Sequence, residues 1–165
     1  MKLFKHCVLL FSLFLFLSCR EEKSSTSNTS EKHQSRQQIK IDYPSLLDTL
    51  LVIQNEIMHA PDNKGLQQKL LLSAFDSISG SFLAAGTGIS PIDQKPVIAE
   101  QLRLRTAKMV AQRWALYLKA WRSGNSVQFG DSISGTITYN TEVYSKMRND
   151  TLYLIVQIPV GSIGM

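Results

Sequence analysis

Cysteine is nearly absent from this sequence: among 165 residues only Cys7 and Cys19 carry a thiol. Histidine is as scarce, at His6, His33 and His59, and no Cys/His set has the spacing of a zinc site. A structural metal and a disulfide framework are therefore not expected, and no cofactor is implied. There is no G-x-S-x-G elbow and no S-x-x-K pair, the usual marks of an activated serine. No apolar run reaches the roughly 20 residues a spanning helix needs. From residue 101 to 130 there is not one acidic side chain. Hydrophobic residues at 44% and charged residues at 19% are ordinary for a globular chain of this length, which has room for one domain.

What is present begins with an address. Lys2 and Lys5 precede an apolar stretch from Val8 to Leu17, too short to span a bilayer and of the length of a signal-peptide core. It ends at Phe16-Leu17-Ser18-Cys19, where polar sequence starts. This stretch resembles the lipobox of bacterial lipoproteins, with Phe16 and Leu17 bulkier than the usual occupants. The resemblance implies cleavage after residue 18, diacylation of Cys19 and attachment to a membrane; two or more acyl chains hold where one barely does. It also implies a sorting rule: Arg20, not aspartate, follows the cysteine, which favours the outer membrane of the cell envelope. The plainer reading is an ordinary secretory signal with an incidental cysteine. Loss of residues 1–18 removes Lys2 and Lys5 from the formal +5, leaving 16 basic and 13 acidic groups, or +3.

Lys23 to Gln38 reads KSSTSNTSEKHQSRQQ, without one aliphatic or aromatic side chain. Residues 19–40 are expected to be a disordered polar tether with a reach of roughly 25 Å, and residues 41–165 a single α+β domain. In that domain Leu46, Leu47, Leu50, Leu51, Ile53, Ile57 and Met58 recur at helical steps, predicting a helix over 44–59. Leu66 to Phe75 is either more helix or the approach to a strand. Asp76-Ser77-Ile78-Ser79-Gly80 recurs as Asp131-Ser132-Ile133-Ser134-Gly135. A two-residue apolar step through Ile78, Phe82 and Ala84, and again through Ile133, Ile137, Tyr139, Val143 and Met147, predicts a strand from each copy. Between them a long amphipathic helix is expected over 96–122, opened by Pro96 and stopped by Ser123-Gly124-Asn125. Arg148-Asn149-Asp150-Thr151 reads as a hairpin turn into a central strand, Leu152 to Val160. The expected architecture is an N-terminal helix, then strand, long helix and β-hairpin, with the helix packed on a small antiparallel or mixed sheet.

Ala85-Gly86-Thr87-Gly88, a proline-containing loop and Gln101 to Arg113 (QLRLRTAKMVAQR) resemble LPP20-type bacterial lipoproteins, whose pattern is a strand ending in G-x-G followed by an Ala- and Arg-rich helix. The likeness covers residues 76–163 and implies a non-enzymatic envelope lipoprotein with a small α+β domain. Taken without that family, Gly86-x-Gly88 lacks the third glycine and immediate helix of a dinucleotide fingerprint and reads as a turn with positive φ. Asp76 and Asp131 could be a carboxylate pair only if the fold joined them; Asp-Ser more often opens a turn.

Charge is the remaining signal. Arg103, Arg105, Lys108, Arg113, Lys119 and Arg122 fall in the acid-free stretch, while the rest of the mature chain has 10 basic and 13 acidic groups. Arg105, Lys108, Lys119 and Arg122 mark the polar side of the long helix. They are either a solvated face balanced by acids elsewhere in the fold, or a docking face for an anionic partner: lipid head groups, lipopolysaccharide phosphates, a glycan or an acidic protein. Nucleic acid fits the charge but not the export address. Trp114 and Trp121 lie on the apolar side and read as core, with an exposed partner-binding ridge the alternative. The oligomeric state is left open by all of this.

Overall fold

A computed structural model of the chain describes residues 41–91 and 93–165. The expected signal segment, the expected lipidation at Cys19 and the expected polar tether all fall outside the described residues. The first helix, α1, runs Tyr43–His59, with Asp42 as N-cap and Pro44 in its first turn. Its inward stripe, Leu47, Leu50, Ile53 and Ile57, has the expected helical spacing. Pro61 follows its end, and Asn63 caps α2, Lys64–Ala74, by accepting from the Leu66 N–H at 3.2 Å.

Helix α2 passes directly into β1, Phe75–Asp76, which turns back into β2, Ser81–Gly88. After α3, Pro96–Arg122, come β3, Thr136–Ile137, β4, Thr141–Arg148, and β5, Thr151–Pro159. A 3₁₀ turn at Val160–Ser162 leads to β6, Ile163–Gly164. The main sheet has the order β1-β2-β5-β4, antiparallel throughout, while β3 and β6 form a separate two-stranded ribbon. Thus β5 is central, as its apolar residues on both faces predict, and the long helix packs on the sheet.

Leu154, Ile155 and Val156 are consecutive and wholly buried, which requires cover on both faces of the sheet. Helix α3 covers the face bearing Phe82, Ala84, Gly86 and Gly88 and their cross-strand partners Ile158, Val156, Leu154 and Leu152. Helix α1 covers the other: Tyr43 stacks on Tyr144, the register partner of Ile155, with ring centroids 6.4 Å apart, and Asp48 pairs with Arg148 at 2.7 Å. From α1 the buried Gln54 side chain donates to the main-chain carbonyl of Ala85 at 3.2 Å.

Three expectations need correcting. Gly86-x-Gly88 is not a turn, and neither glycine has positive φ; both lie inside β2. A methyl group at Gly86 would collide with the Ala107 carbonyl oxygen and come within 2.8 Å of the Ala111 nitrogen, and one at Gly88 would meet the Arg103 carbonyl and, at 2.8 Å, the Ala107 nitrogen. The glycines are there because two backbones touch. The first Asp-Ser-Ile-Ser-Gly is itself a turn, with Ile78 80% exposed and Gly80 at φ 63°. Asp76 Oδ1 accepts the Ile78 N–H at 3.0 Å, a local bond that competes with strand pairing. The second copy does not start a strand either. Its region is broken into β3 and β4, and a bulge between Glu142 and Tyr144 shifts the register, so the two-residue step does not continue along one face. Tyr139 and Met147 are accordingly exposed.

Gly86→Ala and Gly88→Ala should each destabilise the domain by about 3 kcal/mol or more, at the upper end for overpacking because backbone cannot step aside as a side chain can. Urea unfolding checks this; loss of less than about 1 kcal/mol would mean that α3 can back away from β2 without cost.

Candidate functional site

Helix α3 carries the cations that the sequence marks as a possible docking face, so its surroundings decide that reading. Its inward residues Ala107, Ala111, Trp114, Tyr117 and Leu118 are buried, as the amphipathic pattern predicts. Toward the C-terminal end these small residues give way to an aromatic cluster. Trp114 stacks on Phe129 at 4.4 Å, and Tyr117 lies 5.3 Å from Phe129 and 5.8 Å from Trp121. The Tyr117 hydroxyl donates to the Asp131 carbonyl at 2.8 Å and accepts the Gly130 N–H at 3.1 Å; the Trp121 indole N–H donates to Val127 at 2.9 Å. Trp114 is core, and Trp121 is half-buried with its polar edge tied down, so the pair holds the loop after α3 and forms no free ridge.

The six cations of α3 do not form one bare face. Arg103 donates to the Asp150 carbonyl at 3.0 Å and pairs with its carboxylate at 3.6 Å, and Lys108 lies 3.4 Å from Glu142 of β4. The Arg122 guanidinium sits 3.8 Å over the Phe75 ring, and Arg113 packs against Tyr117 and Phe129. Among the described residues, Arg105 and Lys119 have neither an acidic nor an aromatic partner. Of the four residues marked from sequence, then, Lys108 and Arg122 are engaged within the fold.

Asp76 and Asp131 are not brought together as a pair: each closes its own turn. Ser79 donates its hydroxyl to Asp76, and Asp131 Oδ2 accepts the Gln128 N–H at 2.8 Å. The Ser79 hydroxyl holds the Asp76 carboxyl below its ordinary 3.8, against partial desolvation, with the backbone N–H groups of Ile78 and Ser79 helping. His59 Nδ1 lies 2.8 Å from the carbonyl of Asn55 in its own helix. Among the described residues no group of three or more His, Cys, Asp or Glu could hold a metal, and no helix is long and apolar enough to cross a membrane.

Two shallow grooves border α3. One, of about 360 Å³, lies between α2 and the end of α3, floored by Leu71 and Trp121 and rimmed by Lys64, Gln68, Asn125 and Ser126. The other, of about 390 Å³, runs along α3 itself, between Gln101, Leu104, Arg105, Lys108, Met109 and Gln112. Neither is lined by an acid, a histidine or a cysteine. The second groove includes Met109, 60% exposed, and in the first turn of the same helix, outside the groove, Ile98 is 44% exposed; the sequence reading passed over both. The signal for them was present, since Ile98, Leu102, Arg105 and Met109 follow steps of four, three and four. Compared with known proteins, the chain matches no family model, no curated protein and no solved structure.

Tyr117→Phe should cost about 1 kcal/mol, the low side for a lost hydrogen bond because water can reach the exposed Gly130 and Asp131. Faster amide exchange confined to residues 127–131 would locate the effect; unchanged exchange there would deny the hydroxyl its tethering role. Asp76→Asn tests the turn. A carboxyl with a lowered folded pKa stabilises above its ordinary value and loses that contribution as pH falls through the folded one. The stability gap between the native chain and the variant should be steady at neutral pH and close as pH falls below about 4, read from urea midpoints across pH.

Proposed function

We propose that this chain is an exported, non-enzymatic lipoprotein, held on the cell envelope through lipid on Cys19, whose α+β domain serves partner binding or assembly. The observation that carries this is the basic, apolar, small-residue, cysteine order of residues 2–19, followed by polar sequence to Gln38. The likeness to LPP20-type lipoproteins, resting on Gly86-x-Gly88 and the helix after it, supports the same reading. Placement in the outer membrane follows from Arg20 after the cysteine. The domain's own chemistry supports a docking role: the two grooves beside α3 are shallow and lined by amides, cations and apolar groups.

A second reading makes Arg105, Lys108, Lys119 and Arg122 a site for anionic envelope polymers. The acid-free stretch favours it. The ion pair of Lys108 with Glu142 and the stacking of Arg122 on Phe75 weigh against the four acting as one cluster.

Expression of the full chain in a bacterial host should give a membrane-bound product whose mass shows a mature start at Cys19 and added acyl chains. Cys19→Ser should move it to the soluble exported fraction. An unmodified thiol, or membrane retention of the Cys19→Ser variant through salt and carbonate washes, would overturn the anchor.

A further inference from the structure

The outward side of α3 has the make-up of an interfacial helix. Ile98, Leu102, Arg105 and Met109 lie along one line, about 16 Å from Ile98 to Met109 at the helical rise. Val97, in the same first turn, is 67% exposed. Among the described residues Arg105, at the centre of the line, has no ion pair, and Lys108, paired with Glu142 of β4 at 3.4 Å, flanks it. Glu100, the one acid of the helix, falls nearly opposite on the helical wheel. An apolar line centred on a cation, with no acid of its own helix beside it, is complementary to a surface that is apolar just beneath a layer of negative charge.

We propose that this face of α3 docks the domain on an anionic lipid bilayer, with Ile98 and Met109 entering the head-group region and Arg105 pairing with lipid phosphate. The proposal rests on the anchored reading for its biological setting. A contact of two or three apolar side chains and one or two cations is weak in solution. On a chain already fixed to the membrane it becomes an intramolecular event, at an effective concentration on the order of millimolar, and a weak contact is then occupied. A second copy of this chain is the poorer occupant, because two such faces would oppose Arg105 and Lys108 to their own kind. An acidic partner helix would match the charge, but neither the lipobox nor anything in the fold supplies one.

The domain from residue 40, part of the compact unit Ile39–Met165, lacks Cys19 and so tests docking apart from acylation. It should co-sediment at low salt with phosphatidylcholine vesicles containing phosphatidylglycerol, and be released by added sodium chloride. Arg105→Glu should lower the partition coefficient on the order of tenfold or more. Ile98→Ser combined with Met109→Ser should lower it by a comparable factor, with thermal unfolding unchanged because these side chains are exposed. Lys146→Glu, on the exposed strand β4, should leave it near the native value. No binding to the anionic vesicles, binding equal to that on pure phosphatidylcholine, or binding insensitive to the Arg105 and Ile98/Met109 changes would each overturn the proposal. So would a photocrosslinker at position 109 that captures an acidic protein where vesicles fail to bind. Any of these results leaves the acylation of Cys19 standing, and an unacylated Cys19 leaves the vesicle result standing.

Discussion

The domain is organised by one approach of backbone to backbone, α3 against β2. Gly86 and Gly88 present no side chain toward the helix, and Ala107 and Ala111 answer with the smallest one. Dispersion falls steeply with distance, so a close contact of many small groups is worth as much as interdigitated large ones, provided nothing intrudes. Such a contact is unforgiving, because backbone atoms are fixed by the helix and the ladder they belong to and cannot swing away. It also sets where larger groups can go. A helix lying that close over β2 leaves no space for bulk along its middle, so the aromatic rings gather where α3 runs past the glycines, at Trp114, Tyr117 and Trp121.

Those rings do a second task. Without a cysteine in the described residues, no covalent link fixes the irregular segment after α3. Phe129 inserts beside Trp114, and the Tyr117 hydroxyl and Trp121 indole capture main-chain groups of residues 127–131. The loop is thereby placed so that the chain can proceed to the β3–β6 ribbon and the β4–β5 hairpin. On the other face of the sheet, α1 supplies the leucine and isoleucine bulk that α3 cannot, which explains why β5 is apolar on both sides.

This division explains what could be read from the residues. Helix α3 was legible to its ends, because Pro96, the apolar stripe Ala107, Val110, Ala111, Trp114, Tyr117, Leu118 and Trp121, and the Ser-Gly-Asn stop are local signals in agreement. The central place of β5 was legible from Tyr153 and Ile155 beside Leu152 and Leu154. The glycines misled, because a turn and a close approach call for the same residue, and only the position of α3 tells them apart. The repeated Asp-Ser-Ile-Ser-Gly misled because side-chain capture of nearby N–H groups is stronger than a short alternation of apolar residues. For the basic face, the sequence showed six cations but not their partners. Glu142 and Asp150 stand far along the chain and meet α3 only once the hairpin is formed.

The same close packing governs what the surface can do. A helix seated on a sheet buries the side that faces it and leaves the remainder outside. On most surface helices that remainder is polar, since exposed apolar groups gain nothing from folding. On α3 it keeps Ile98 and Met109 in line with Arg105, in a stretch where four of the six cations are matched by Glu142, Asp150 or aromatic rings and, among the described residues, Arg105 and Lys119 are not. Folding accounts for the inner strip and for the neutralised cations. It does not account for an apolar line with a free cation at its centre, and a residue pattern that folding does not use is where a recognition surface is to be sought.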